Sequence, residues 1–165
     1  MSAIWNIRPP RSQSDRNEVN SHQHNGNAGT RGSAGRPSCL FCRLNDPVEN
    51  KVIRVHGLMY ARWDNFPAAR GHIEIVPRRH ICSYFEMTRR ENADLYHLAG
   101  LMKTQLDTEY GPDAYTLGIN DGIAAGQTVA HLHMHLIPRW YGDVPNPEGG
   151  IRQIFPGCDP RSWSS

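Results

Sequence analysis

"GQTVAHLHMHLIPR", residues 126–139, places His131, His133 and His135 at alternate positions, with Leu132, Met134 and Leu136 between and after them. Alternation of this kind reads as a β-strand, because successive side chains of a strand point to opposite faces. The histidines then share one face, and the three apolar residues share the other, against the core. At roughly 3.3 Å per residue, neighbouring histidines would stand about 6–7 Å apart. One histidine in a strand is commonly satisfied by a hydrogen bond, but a row of three can serve one extended ligand or two adjacent sites. The strand is expected over residues 130–138, ended by Pro138.

The neighbouring segments predict the rest of the fold. "KVIRV" and "LMYARW" flank His56-Gly57, a hairpin signal. "HIEIVP" alternates and reads as a third strand ended by Pro77, and "AYTLGIN" as a fourth. Thr88-x-x-Glu91 is a capping box that opens a helix running to about Tyr110, where "GPD" stops it. Leu95, Leu98, Met102 and Leu106 recur at three- and four-residue intervals and mark its buried stripe. Five short strands and one long helix predict an α+β fold with a mainly antiparallel sheet. No internal repeat is visible.

The chain has 165 residues, 38% hydrophobic and 21% charged, which suits one domain with a proper core. Residues 1–38 are rich in Ser, Asn, Gly, Arg and Pro and carry five Arg against two acidic residues. They are expected to be a disordered basic tail, with residues 39–165 as the folded domain. A weak RNA or membrane contact by the tail is the alternative to a solvated segment. The net charge of +2 leaves the body near neutral, which argues against nucleic acid as the main partner. No apolar run approaches the ~18 residues of a membrane span, and no secretory signal is visible. Four cysteines are too few for a disulfide scaffold, so a reducing, cytoplasmic compartment is expected.

Several side chains suit chemistry beside the histidine row. In "NDGIAAGQTV", residues 120–129, Gly122 and Gly126 permit close backbone approach, and Gln127 and Thr128 offer neutral donors of the kind a phosphate oxygen needs. Asp64, in "DNFPAARGH", has the chemistry to hold a ribose hydroxyl pair, although an Asp in a turn is the commoner case. Cys39-x-x-Cys42 is half of a metal site, a redox pair or neither; a zinc site would need two further ligands from His80, His131 or another histidine.

Together these segments resemble the histidine triad family. "HLHMHLIP" fits its signature, and "GINDGIAAGQTVAHLHMHLIPR" is similar to the bacterial branch that includes diadenosine polyphosphate hydrolase-like proteins. The C-x-x-C, "DNFP", "GHIEIVPRRH" and "GDVPNPEGGIRQIFP" fall in that branch's order, so the resemblance covers residues 39–156. It implies a nucleotide substrate and a hydrolase or nucleotidyl transferase. By that resemblance His133 is the nucleophile at the α-phosphorus, and His135 binds phosphate and assists the leaving group. Gln127 and Thr128 contact phosphate oxygens, Asp64 holds the ribose, Asn120 lines the same pocket and His72 supports the row. It further implies a structural zinc on Cys39, Cys42, His80 and His131, pinning an N-terminal hairpin to the active-site strand. A homodimer joined through the helix and the edge near Tyr115 also follows from it. The rival readings are a phosphorylase, which uses inorganic phosphate in place of water, and a non-catalytic, zinc-stabilised nucleotide-binding module.

Overall fold

The computed structural model describes residues 38–158 apart from Asn45, Pro47, Val48 and Pro156. The expected basic tail therefore lies outside the described residues, save Ser38. The described part is an α+β domain with five strands in the order β1-β2-β3-β5-β4, every neighbouring pair antiparallel. The strands are β1 (Val52–His56), β2 (Met59–Trp63), β3 (Ile73–Pro77), β4 (Ala114–Gly118) and β5 (Met134–Arg139). One long helix, α1 (Arg89–Tyr110), lies between β3 and β4 in the chain.

The helix forms where its local signals place it. The Thr88 hydroxyl accepts from the Glu91 N–H, and the Glu91 carboxylate accepts from the Thr88 N–H, so the capping box is complete. Gly111 ends the helix at φ 56°, a left-handed conformation that costs glycine little. Leu98, Met102 and Leu106 are fully buried and pack with Met59, Ala61, Ile73, Ile75 and Leu136; Leu95 flanks them. This is the main core, on one face of the sheet. Arg79 forks onto Glu91 with two contacts of 2.9 Å, tying the end of β3 to the helix start. At the β1–β2 turn, Gly57 has φ +55°, and a Cβ there would collide with the Asp94 carboxylate. Asp94 uses that space to accept the Leu58 N–H at 3.0 Å.

The histidine strand differs from its expected bounds. β5 begins at Met134, not Ala130, and continues through Pro138 to Arg139. The reason is where the backbone bonds go. Leu132 N–H donates to the Ile81 carbonyl at 2.7 Å, and His131 N–H to Val129 at 2.8 Å, so this segment leaves the β3 ladder. Pro138 is tolerated within β5, where it lies opposite Tyr115. The other strands differ from expectation by a residue or two at their ends. The hairpin expected at His56-Gly57 forms as β1–β2, with His56 opposite Met59, and the C-x-x-C segment before it is a short 3-10 turn, Leu40–Cys42. Its Phe41 packs with Tyr60 and Val76 on the sheet face opposite α1. No helix among the described residues is long and apolar enough to cross a membrane.

Candidate functional site

The face opposite α1 holds the chemistry. Arg62, Glu74, His135 and Gly118 lie opposite one another in register across β2, β3, β5 and β4. His72 precedes β3, and Asp64 follows β2, joined to it by an Asp64 N–H to His72 carbonyl bond of 3.2 Å. His131 and His133 enter from the segment before β5. His133 and His135 stack edge to face with ring centroids 5.0 Å apart, closer than an extended strand would place them.

Hydrogen bonds fix which ring nitrogens hold protons. His133 Nδ1 lies 2.9 Å from the His131 carbonyl, which can only accept, so Nδ1 donates and Nε2 keeps its lone pair. The Ala68 N–H donates to His72 Nδ1 at 3.1 Å, which puts the His72 proton on Nε2. That Nε2–H points at His135 Nδ1, 3.0 Å away, so neutral His135 carries its own proton on Nε2. The pair thus presents a nucleophilic nitrogen on His133 and a donor on His135. The Asp64 carboxylate stands 3.5 Å from His72 and 3.7 Å from His135.

Burial keeps this row uncharged. It holds His133 and His72 below the ordinary imidazole value, against the pull of Asp64. Burial, followed by the neighbouring imidazoles, brings His135 to about 4, and burial brings His131 to about 4. A folded-state value lowered below that of the unfolded chain stabilises the fold above the unfolded value, and this is lost as pH falls through the folded value. The thermal midpoint should therefore decline as pH drops from about 6.5 toward about 4. A midpoint that stays level across that range contradicts the neutral row.

A second cluster adjoins the first. The ligand atoms of Cys39, Cys42, His80 and His131 all lie within 4.8 Å of one another. Cys39 Sγ is 3.4 Å from His131 Nδ1, and Cys42 Sγ is 3.2 Å from His80 Nδ1 and 3.6 Å from His131 Nδ1. A tetrahedral centre with ordinary zinc–sulfur and zinc–nitrogen bonds spaces its ligands by about 3.6 Å. His131 Nε2 donates to the Pro77 carbonyl at 2.8 Å, which frees Nδ1 to face the thiols. The donor set and the tautomer therefore fit a closed four-ligand metal site.

The remaining expected residues are dispersed around the row. A cleft of about 570 Å³ is lined by His72, His135, Asn120, Thr116, Ile151 and Ile154. Asp64, Gln127 and Thr128 do not line it. The Gln127 amide is committed to the loop itself, donating to the Cys82 carbonyl and accepting the Gly122 N–H, both at 2.9 Å. Thr128 is exposed nearby.

Two residues of the site escaped the sequence reading, Arg62 and Glu74. They form a buried ion pair under the row, and the Glu74 carboxylate lies within 4.8 Å of the His133 and His135 nitrogens. Burial lifts Glu74 to about 7 against the opposing pull of Arg62. The signal was present: His72 and Glu74 alternate with Ile73 and Ile75, so Glu74 shares the histidine face.

The sequence pattern of the HIT domain family matches residues 46–141. The chain is similar to the bifunctional bis(5'-adenosyl)-triphosphatase/adenylylsulfatase of Arabidopsis thaliana, at 37% identity over 59% of this chain and 53% of that protein. It thus spans about half the length of that relative. It is 33% identical to the bis(5'-adenosyl)-triphosphatase of Dictyostelium discoideum over 70% of this chain and 77% of that protein. A Zn-bound histidine triad family protein from Mycobacterium smegmatis superposes with a TM-score of 0.59 at 28% identity, covering 64% of this chain and 78% of that one.

Proposed function

Because the chain belongs to the HIT domain family, we propose that it hydrolyses a nucleotide at its α-phosphorus, through a covalent nucleotidyl intermediate on His133. The favoured substrate is a dinucleoside polyphosphate such as diadenosine tri- or tetraphosphate, with an adenosine phosphoramidate as the other compatible class. The observation that carries this reading is the bond from His133 Nδ1 to the His131 carbonyl. It leaves a neutral, buried Nε2 lone pair beside the His135 donor, an arrangement suited to nucleophilic attack. Similarity to proteins named as bis(5'-adenosyl)-triphosphatases supports the substrate class.

In this reading His135 Nε2–H binds a phosphate oxygen and assists the leaving group, in an orientation set by His72. Asp64 takes the ribose hydroxyls, and Asn120 contributes from the cleft wall. Thr128 meets phosphate oxygens, and Gln127 joins it on exchanging one loop bond for a phosphate oxygen. Such fixed donors stabilise transition-state charge without reorganising. Cys39, Cys42, His80 and His131 would hold a zinc ion whose contribution is structural, since four protein ligands leave no place for water. A homodimer through α1 and β4 completes the reading, and Tyr96 and Leu117 are exposed there.

Product analysis tests the proposal. Incubation with diadenosine triphosphate, diadenosine tetraphosphate and adenosine phosphoramidate should yield AMP carrying oxygen from water. ADP formed only with inorganic phosphate present would mean a phosphorylase. Binding without any product across the panel would leave a non-catalytic module and overturn the assignment.

A further inference from the structure

The ion pair under the histidine row has no part in the steps above. Arg62 is 1% and Glu74 6% exposed, and their charged groups are in direct contact. Removing two charges from water is costly, and an aliphatic pair of similar volume often holds a core as well or better. Packing alone is therefore a poor reason for this pair.

Its surroundings point to the reaction. Arg62 Nη2 donates to the Glu49 carbonyl at 2.9 Å, and its guanidinium rests 5.1 Å from the centre of the Phe41 ring. That ring also packs edge-on against His131 and His133. Glu74 is therefore clamped from behind by Arg62. Its carboxylate lies within 4.8 Å of the His133 and His135 nitrogens.

We propose that Glu74, clamped by Arg62, is a positioning residue for nucleotidyl transfer: its negative charge faces the His133–His135 pair and stabilises the cationic imidazole that exists while the nucleotide is attached to His133. The proposal rests on the nucleotidyl-histidine reading given above. In the first step the His133 Nε2 lone pair forms a bond to phosphorus. The bond from phosphorus to the leaving oxygen breaks, and its electron pair departs with that oxygen. The ring keeps its Nδ1 proton on the His131 carbonyl and so gains a positive charge. Water then bonds to phosphorus, the P–N electron pair returns to Nε2, and the water's proton passes to solvent. The positive charge exists only between the two steps. A fixed carboxylate beside it lowers the energy of that state and of the transition state leading to it. Arg62 left unmasked would raise both.

Rapid quench at pH 8 with diadenosine triphosphate, above the value of about 7 reached by Glu74, separates adduct formation from its hydrolysis. Glu74→Gln keeps the shape and removes the charge. It should slow adduct formation roughly tenfold to a hundredfold while AMP affinity stays within about threefold of wild type. Glu74→Asp, which retains the charge, should recover part of the rate. The double variant Arg62→Met with Glu74→Leu replaces the pair by apolar bulk. It should keep a near-wild-type melting temperature and still be slow, so the test survives if Glu74→Gln fails to fold. Adduct formation at the wild-type rate in either Glu74→Gln or the double variant overturns the inference and makes the pair structural. If wild type itself forms no adduct, the parent reading falls and this inference falls with it.

Discussion

His133→Ala should lose turnover by on the order of a thousandfold or more while retaining nucleotide affinity, because on the proposed mechanism it removes the nucleophile and leaves the proposed binding contacts in place. His135 keeps its Nε2 proton through the His72 contact of 3.0 Å, which does not pass through His133. Asp64 is likewise held by the Phe66 N–H and by His72, not through the lost ring. The split between kcat and binding is the informative readout. His133 is buried against Phe41, so a general loss of structure would also reduce the rate. Equilibrium binding of AMP, measured beside kcat, distinguishes the two. A variant that keeps most of its rate contradicts the assignment of His133.

Replacing Cys39 and Cys42 together by Ser should abolish stoichiometric zinc and lower stability by several kcal/mol. Zinc bound only by the folded chain contributes RT ln(1 + [Zn]/Kd), which is about 4 kcal/mol at a thousandfold excess over the dissociation constant. The Cys39–His131 contact of 3.4 Å links the N-terminal segment to the histidine row, so the loss should spread to the active site. Metal analysis of protein purified without chelator should give one zinc per chain. Absence of metal in the wild type, or equal metal in the double variant, refutes the site. Activity per folded molecule should change much less than stability, since no step of the reaction is assigned to the metal.

Different parts of this structure were legible in the sequence for different physical reasons. The helix was readable at both ends because its signals are local: the Thr88–Glu91 box, the apolar stripe and Gly111 all act within a few residues. The start of β5 was not readable. Residues 129–133 continue the alternating pattern, but their backbone bonds go to Ile81 and Val129 and not to β3, which only the tertiary fold decides. The four cysteine and histidine ligands were only half determined by spacing, and the resemblance supplied the pair His80 and His131; the structure brings all four together. Gln127 shows the opposite limit, since its commitment to Gly122 and Cys82 leaves no trace in residue type. Alternation with Ile73 and Ile75 places Glu74 on the face of His72, but only the strand register puts it opposite His135 and Arg62.

The proposed mechanism attaches a nucleotide to His133. Wild-type protein mixed with diadenosine triphosphate, quenched in base and digested, should give a peptide containing His133 with one added adenylyl mass. Mild acid should release that mass, because a phosphoramidate bond to imidazole is acid-labile. An adenylyl mass on a different residue, or rapid turnover with no adduct trapped in wild type or in variants slowed at the hydrolysis step, would rule out His133 as the nucleophile.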